Sequence, residues 1–280
     1  MHITGSYHPF QHNAEMKRIK NLMKRRNACY APKRTSDKTE IFEESLRIAD
    51  ICSLIGNNVT LETYPEKYRN KIYPITVSSS KLTAIKAEKD YLPAKREFLW
   101  FFSYGAVHKG LDLLLEIFAK NPEITLNIVG IVATEKDFMQ IYENEMTRLP
   151  NIKYHGFLKP GSRKFRDIVK NVFCFIAPSA SEGISPATST CMQIGLFPII
   201  SKNAGIDLPA GCGIYLNDCA IEEIKEAINE VNRADERDLI TQIKTCQQFA
   251  FKQYSREQFS KEMTSFIKRA LTMTKREVAK

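Results

Sequence analysis

The chain has 280 residues, 43% of them hydrophobic and 26% charged, a balance typical of a soluble globular protein of one or two domains. No apolar stretch approaches the roughly 18 residues of a transmembrane helix, and the start of the chain lacks the apolar segment of a signal peptide, so the sequence predicts a cytoplasmic protein. Its 41 Lys and Arg residues against 32 Asp and Glu give a net charge of +9, which suits phosphorylated substrates, anionic lipid headgroups or nucleic acid, and equally a solvated basic surface.

The seven cysteines are irregularly spaced, and Cys174 and Cys191 stand inside apolar runs. This pattern predicts buried thiols in a reducing compartment rather than a disulfide framework. The sequence has no Cys-x-x-Cys pair and no histidine cluster, so we expect no structural metal. Aromatic and basic residues are not interleaved on one stretch as a binder of single-stranded nucleic acid needs, and we therefore expect no nucleic-acid partner.

Residues 1 to 94 show little regular pattern. A predicted helix over 14 to 26 places Met16, Ile19 and Met23 on one face, and nine of the residues from 17 to 38 are basic. This helix either meets an anionic membrane or forms a domain surface. A second helix is predicted over 38 to 49 and a short strand over Ile51–Ile55. Because no run of alternating buried strands and helices is visible, the sequence predicts a short, incomplete α/β region.

Residues 95 to 235 alternate regularly between buried strands and amphipathic helices. Strands are predicted over 98–102, 126–132, 151–155, 172–177 and 197–201, and helices over 111–118, 135–148, 165–169 and 186–194. The connections are only a few residues long, which predicts a Rossmann-like α/β domain with a doubly wound parallel sheet. Three more helical patterns follow Gly213 and lead into a basic C-terminus.

The stretch from 172 to 209 is the most informative part of the chain. A buried strand, Val172 to Ala177, runs directly into a turn rich in small and polar residues, which comprises Pro178, Ser179, Ser181, Glu182, Gly183 and Ser185. A short helix is predicted to begin near Pro186 and to stop at Gly195. Ligands of parallel sheets bind where a strand's carboxyl end enters a helix, and free amides at the helix start favour phosphate. The segment from Ser179 to Pro186 is therefore the first candidate for a binding site.

These residues resemble the donor-site segment of the two-Rossmann-domain (GT-B) glycosyltransferases, and in particular a large retaining family of bacterial sugar transferases. The shared pattern is strand, Pro-Ser, two residues, Glu-Gly, a short helix with a Met, and then Gly-Leu-Phe-Pro-Ile-Ile. The resemblance implies that Glu182 contacts the donor sugar. The family usually has a second Glu eight residues later, which holds the nucleotide ribose, and here that position is Thr190, whose hydroxyl can also hydrogen-bond a ribose.

A second motif stands in the turn after the first strand of the regular region. In the family, a glycine, a basic residue and a Lys-Gly pair surround the donor diphosphate, and Gly105 and Lys109-Gly110 match this pattern, whereas Tyr104 replaces the usual Arg. Lys109 at a helix start is unfavourable for the helix unless an anion binds there. A solvated lysine is the alternative, but the two motifs together favour a phosphate role. His108 is expected to be exposed and not catalytic.

The resemblance implies retaining transfer of a hexosyl unit from a nucleoside-diphosphate sugar to a carbohydrate or lipid-linked acceptor, in surface polysaccharide synthesis. Lys109 and Glu182 would be catalytic, no metal or other cofactor is expected, and a peripheral contact with the anionic inner membrane face would bring a lipid-linked acceptor within reach. The implied donor-binding residues are Gly105, Lys109, Gly110, Ser179, Glu182, Gly183, Ile184, Ser185 and Thr190. The alternative is a non-catalytic nucleotide-sugar-binding remnant of such an enzyme.

The resemblance also divides the chain into a partial acceptor-side region (1–94), a nucleotide-sugar-binding domain (95–235) and C-terminal helices that brace the first region (236–280). The first domain of the family is usually well over a hundred residues long. Either the chain has a minimal first domain or it begins inside one. We expect the second, so that the chain binds donor while transferring slowly.

Overall fold

The computed structural model describes residues 1–32, 39–79 and 96–278, with side chains up to residue 273. Its strands are β1 (His2–Ile3), β2 (Cys52–Ile55), β3 (Ile72–Ile75), β4 (Glu97–Phe101), β5 (Thr125–Val129), β6 (Ile152–Tyr154), β7 (Cys174–Ala177), β8 (Phe197–Ser201) and β9 (Ile214–Leu216).

The helices precede, connect and follow these strands. They are α1 (His8–Arg26), α2 (Thr39–Ile48), α3 (Asn58–Glu62), α4 (Glu66–Arg69), α5 (Leu111–Phe118), α6 (Lys136–Ile141), α7 (Glu143–Thr147), α8 (Arg163–Lys170), α9 (Pro186–Gln193), α10 (Ile221–Arg233), α11 (Glu236–Gln253) and α12 (Arg256–Val278). Two 3-10 turns cover Val132–Thr134 and Lys202–Ala204. No helix in the described ranges combines the length and the hydropathy that crossing a bilayer requires.

Six strands form a parallel sheet in the order β6-β5-β4-β7-β8-β9. This is the doubly wound Rossmann order, in which the chain starts in the middle of the sheet, builds one half and then returns to build the other. The predicted doubly wound parallel sheet is confirmed. Its centre is apolar on both faces: Phe98, Leu99 and Trp100 in β4 are fully buried, as are Cys174 and Ile176 in β7.

The first part of the chain forms a second parallel sheet, in the order β1-β2-β3. The prediction that this region lacks a run of alternating strands and helices is therefore wrong. Periodicity misses the sheet because β1 has 2 residues and β3 contains Pro74, which is tolerated because β3 lies at the edge of this sheet. Helix α1 also begins earlier than predicted, with Pro9 in its first turn.

Two element boundaries in the larger sheet also differ from the prediction. The predicted helix over 135 to 148 is two helices, α6 and α7, because Tyr142 leaves helical geometry at φ −111° and ψ 25°. The predicted strand over 126 to 132 ends at Val129, and the next residue, Gly130, packs so closely on the backbone of Phe102 that no side chain would fit. Beyond these shifts, the order of strands and helices from 97 to 201 is as predicted.

The carboxyl edges of the two sheets face each other and are in contact. A Cβ on Gly183, after β7, would lie 2.5 Å from the carbonyl oxygen of Thr4, after β1, and would also clash with the carbonyl oxygen of Ile55 in β2. The Ser6 hydroxyl donates a hydrogen bond of 2.8 Å to the carbonyl of Glu182. The loop after β7 is thus held between the two sheets, and only glycine fits at residue 183.

Helices at both ends of the chain connect the two sheets. Arg25 in α1 binds Asp112 in α5, with Nη2 2.6 Å from Oδ2. Helix α12 lies on β3, where the rings of Phe266 and Tyr73 are 6.3 Å apart, and the Thr76 amide after β3 donates to Glu262 over 2.6 Å. These contacts fix the position of the smaller sheet on the larger one.

Candidate active site

The candidate site lies between β4 and β7, the two neighbouring strands of the larger sheet at which the order of the strands along the chain reverses. The loops that leave these strands are joined by a hydrogen bond of 2.8 Å from the Ala180 amide to the His108 carbonyl. Farther along the first loop, a Cβ on Gly110 would lie 2.6 Å from the carbonyl oxygen of Pro178. In doubly wound folds, ligands bind in the crevice at this reversal. The two motifs that the sequence singled out are therefore parts of one site.

Lys109 and Glu182, one from each loop, form an ion pair between Nζ and Oε1. Their side chains are only 17% and 14% exposed, so Lys109 is not the solvated lysine of the alternative interpretation. Burial lowers the pKa of Lys109, and the nearby Glu15 carboxylate in α1 opposes that shift. The ammonium group also lies 5.3 Å from the ring centroid of Phe102. Lys109 is thus a largely buried ammonium group beside the carboxylates of Glu182 and Glu15. An anionic ligand could bind the same ammonium group.

His108 is buried at 8% exposure, so the prediction that it is exposed is wrong. Its Nε2 lies 2.6 Å from the Ser181 carbonyl oxygen and must donate to it, because a carbonyl only accepts. Burial, assisted by the charge of Lys109, lowers the pKa of His108 to about 3, so the ring is neutral near pH 7. Its Nδ1 has no hydrogen-bond partner among the described residues and lies 3.9 Å from Glu15 Oε1. The loops are joined through a neutral histidine.

The loop after β7 presents hydroxyls that have no hydrogen-bond partner within the described ranges. Ser179 and Ser181 are each 1% exposed, and both Oγ atoms are unpaired. Ser185 instead caps α9, where its Oγ accepts from the Thr188 amide at 3.4 Å. Most buried polar groups in proteins are hydrogen-bonded to protein or to ordered water. Two orphaned hydroxyls beside Glu182 are thus available to polar ligand atoms.

The other three predicted donor-binding residues are Gly105, Ile184 and Thr190, and their contacts with a donor remain predictions. The Gly105 amide donates a hydrogen bond of 2.9 Å to Glu135 Oε1. This N–H group, which the motif would place beside the phosphate, is therefore already paired with a carboxylate. Ile184 is a core residue at 7% exposure, and Thr190 lies within α9 at 5% exposure. The structure brings together Lys109, Gly110, Ser179, Glu182 and Gly183, with Ser185 at the end of the same loop.

Helix α1 contributes two charged residues that the sequence analysis did not predict. Glu15 lies near His108 and Lys109, and burial raises its pKa while Lys109 opposes that shift. Arg18 reaches the loops from the same helix, with Nη1 2.8 Å from the place where a Cβ on Gly110 would stand. The sequence does contain a signal for both residues, because Glu15 and Arg18 lie four positions before the buried Ile19 and Leu22 and therefore share their face of the helix.

Within the part of the chain that the structure describes, no group of His, Cys, Asp or Glu side chains could hold a metal ion.

No protein-family model matches this sequence, and no curated protein matches it significantly. Solved structures do match. HepE from Anabaena, in complex with UDP and glucose, is 15% identical with a TM-score of 0.62, and the match covers 83% of this chain and 65% of HepE. A glycosyltransferase from Rickettsia africae is 12% identical with a TM-score of 0.65, over 91% of this chain and 80% of its own.

Sucrose-phosphate synthase from Thermosynechococcus elongatus is 15% identical with a TM-score of 0.66, over 86% of this chain and 63% of its own. At such identities the likeness establishes the fold alone. The chain has the GT-B fold of glycosyltransferases, as predicted, and it spans 65% of the length of HepE.

Proposed function

We propose that the chain is a retaining glycosyltransferase that moves a hexosyl unit from a nucleoside-diphosphate sugar to a carbohydrate or lipid-linked acceptor, in surface polysaccharide synthesis. The observation that carries the proposal is the ion pair of Lys109 and Glu182 at the reversal point of a GT-B sheet. HepE, with the same fold, has been solved with UDP and with UDP-glucose. The donor of this chain is accordingly proposed to be a nucleotide sugar.

Each group in the site has a role in this reaction. As the bond between sugar and diphosphate breaks, negative charge grows on the leaving diphosphate, and Lys109 would stabilise it together with the amides from Gly183 to Ser185. Glu182 would accept hydrogen bonds from sugar hydroxyls, which are stronger when the acceptor is ionised. The acceptor and the donor would be bound on either side of the contact between the two sheets. Holding both reactants in the right geometry makes the transfer step effectively unimolecular. The proposed mechanism uses no metal.

A lipid-linked acceptor would place the chain at an anionic inner membrane face. Helix α12 supports this part of the proposal, because Ile267 is 49% exposed and Leu271, one turn later, is 60% exposed. Lys268 and Arg269 stand between them, and a helix with exposed apolar and basic residues suits a charged lipid surface.

A non-catalytic binder of nucleotide sugars is the second candidate, and two observations favour it. Thr190 stands where the resembled family has its second Glu, and the Gly105 amide is already bonded to Glu135. Such a protein would bind the donor without releasing the nucleoside diphosphate. Turnover therefore distinguishes the two candidates.

The first test is binding of nucleoside diphosphates to the purified chain and to Lys109→Ala. We expect the wild type to bind one of UDP, GDP or ADP with a Kd between millimolar and micromolar, and Lys109→Ala to bind it about tenfold or more weakly, because a desolvated charge contact to phosphate is lost. Isothermal titration calorimetry measures both affinities.

Lys120→Ala is the matched control for this test. Lys120 follows α5 and is exposed, so its removal takes away one positive charge without touching the site. Equal losses in the two variants would remove Lys109 from the binding site. A wild type that binds none of the three nucleotides would overturn the proposed function.

Nucleotide binding is also expected to be independent of divalent cations. The sequence contains no Asp-x-Asp pair, and the described residues contain no cluster of three or more His, Cys, Asp or Glu side chains that could hold a metal ion. We expect the same Kd in EDTA and in millimolar Mg²⁺, measured by the same calorimetry. Loss of binding in EDTA would require a metal-dependent mechanism in place of the one proposed.

A further inference from the structure

Arg18 is a charged residue of α1 whose side chain ends inside the candidate site. Its Nη1 is buried and has no hydrogen-bond partner among the described residues. The atom lies 2.8 Å from the place where a Cβ on Gly110 would stand, and Pro178 bounds the same point. Gly110 is the N-cap of α5 and adopts φ 72°, and the Gly110 and Leu111 amides already donate to the carbonyls of Val107 and Ala106. Arg18 therefore reaches the start of α5, at the meeting point of the two loops.

The surroundings of Arg18 combine positive charge with unpaired donors. Lys109 is the residue next to Gly110, and the orphaned hydroxyls of Ser179 and Ser181 lie in the loop that Gly110 touches. Lys109 is paired with Glu182, whereas Nη1 of Arg18 is buried and finds no acceptor in the described ranges. A planar guanidinium with free N–H groups binds phosphate oxygens in a fork geometry. The helix dipole of α5 adds to the preference for an anion at this place.

We infer that Arg18 binds the diphosphate of the nucleotide donor, so that α1 of the smaller sheet supplies a phosphate-binding cation to the site on the larger sheet. This inference rests on the proposed function. Arg18 would thus bind the substrate from the side of the smaller sheet, whereas both motifs that the sequence singled out belong to the larger sheet. Donor binding would then hold the two sheets together through α1.

A purely structural role for Arg18 is the competing explanation. The charge of Arg18 lowers the pKa of the buried Asp112, although the larger effect of burial raises it, and Arg18 likewise opposes the rise that burial causes in the pKa of the Cys219 thiol. If neutralising Asp112 were its only role, Arg18 could be replaced together with Asp112 without any effect on nucleotide affinity. The double variant Arg18→Met/Asp112→Asn removes both charges and tests this directly.

The experiment compares Arg18→Met with Lys17→Met by calorimetry, using whichever of UDP, GDP or ADP the wild type binds most tightly. Lys17 is exposed on the same helix, so its loss changes the net charge equally. We expect Arg18→Met to weaken binding about tenfold or more, which corresponds to about 1.4 kcal/mol, and Lys17→Met to leave it within twofold. Inorganic pyrophosphate should displace the nucleotide from the wild type and much less effectively from Arg18→Met, because the lost contact is to phosphate.

Two further variants keep the inference testable if Arg18→Met folds poorly. Arg18→Met/Asp112→Asn should show the same loss of affinity with a stability closer to that of the wild type, and Arg18→Lys should show an intermediate loss, because a lysine cannot form the fork. Unchanged affinity in a folded Arg18 variant would overturn this inference and leave the proposed function intact. A wild type that binds no nucleoside diphosphate would overturn both.

Discussion

The substitution Glu182→Gln is expected to reduce sugar transfer by about 100-fold or more while nucleoside-diphosphate binding stays within a fewfold of the wild type. The glutamine keeps the size of the side chain but removes the charge, so hydrogen bonds to the sugar weaken and the reacting carbon is held less accurately, and losses of this size follow from misplacement of about 1 Å. The nucleoside diphosphate itself carries no sugar and should be affected little. Release of nucleoside diphosphate from the donor sugar measures transfer, and calorimetry measures binding.

Glu97→Gln is the matched control for Glu182→Gln. Glu97 also belongs to the larger sheet, is partly buried and pairs with a lysine, since Oε1 lies 3.5 Å from Lys153 Nζ. It stands at the start of β4, at the opposite edge from the candidate site, and should leave transfer unchanged. If Glu182→Gln instead lost affinity for the nucleoside diphosphate as strongly as it lost turnover, Glu182 would act on the nucleotide and not on the sugar.

The larger sheet could be predicted from the sequence because its strands are continuous apolar runs between short loops. Phe98 to Phe101 and Cys174 to Ala177 lie at the centre of the sheet, where both faces are covered, so no polar residue interrupts them. The order of the strands then places the loops after β4 and β7 side by side. For this reason the sequence could predict that Lys109 and Glu182 belong to one site.

The smaller sheet could not be predicted in the same way. A strand of 2 residues has no periodicity, and β3 contains a proline, which normally argues against a strand. Both strands exist because β2 pairs with each of them and Tyr64 and Leu46 cover the sheet. This is tertiary context overriding local propensity.

The contribution of α1 to the site lay beyond sequence reasoning for a related reason. The helical pattern of 14 to 26 shows which residues share a face, but not what that face packs against. Only the contact between the sheets brings Glu15 to within 3.9 Å of His108. Burial of His108 has the same origin, because a histidine in a turn is enclosed only when another element closes over it.

The substitution Arg25→Met is expected to destabilise the folded chain by about 3 kcal/mol at pH 7.5, because removing one partner of a buried ion pair leaves the other charge uncompensated. Arg25 lies 2.6 Å from Asp112, which is fully buried, and 3.0 Å from Glu116. Arg18 also lowers the pKa of Asp112 and remains in the variant, which places the loss at the lower end of the usual range. Urea denaturation followed by circular dichroism measures the free energy of unfolding.

The loss should grow with pH, because the substitution leaves Asp112 as a buried carboxylate. In the folded wild type, burial raises the pKa of Asp112 to about 6, with Arg18 and Arg25 opposing the shift, whereas an unfolded Asp has a pKa of about 3.9. The native state therefore binds a proton more readily than the unfolded state, so the stability from this group is present below about pH 4 and is lost as pH rises through about 6. Without Arg25 the native pKa rises further. The difference in unfolding free energy between wild type and variant should accordingly be smaller at pH 5 than at pH 7.5.

Two variants show whether Asp112 is the source of this effect. Arg25→Met/Asp112→Asn should regain part of the lost stability and lose most of the pH dependence, since the fully buried carboxylate is gone and the remaining one, Glu116, keeps its hydrogen bond from the Tyr142 hydroxyl. Arg47→Met should leave the unfolding midpoint unchanged, because Arg47 and its partner Glu44 are 64% and 59% exposed and water replaces their contact. An equal loss for Arg25→Met at both pH values would mean that the substitution acts through the packing of α1 on α5, and not through the charge of Asp112.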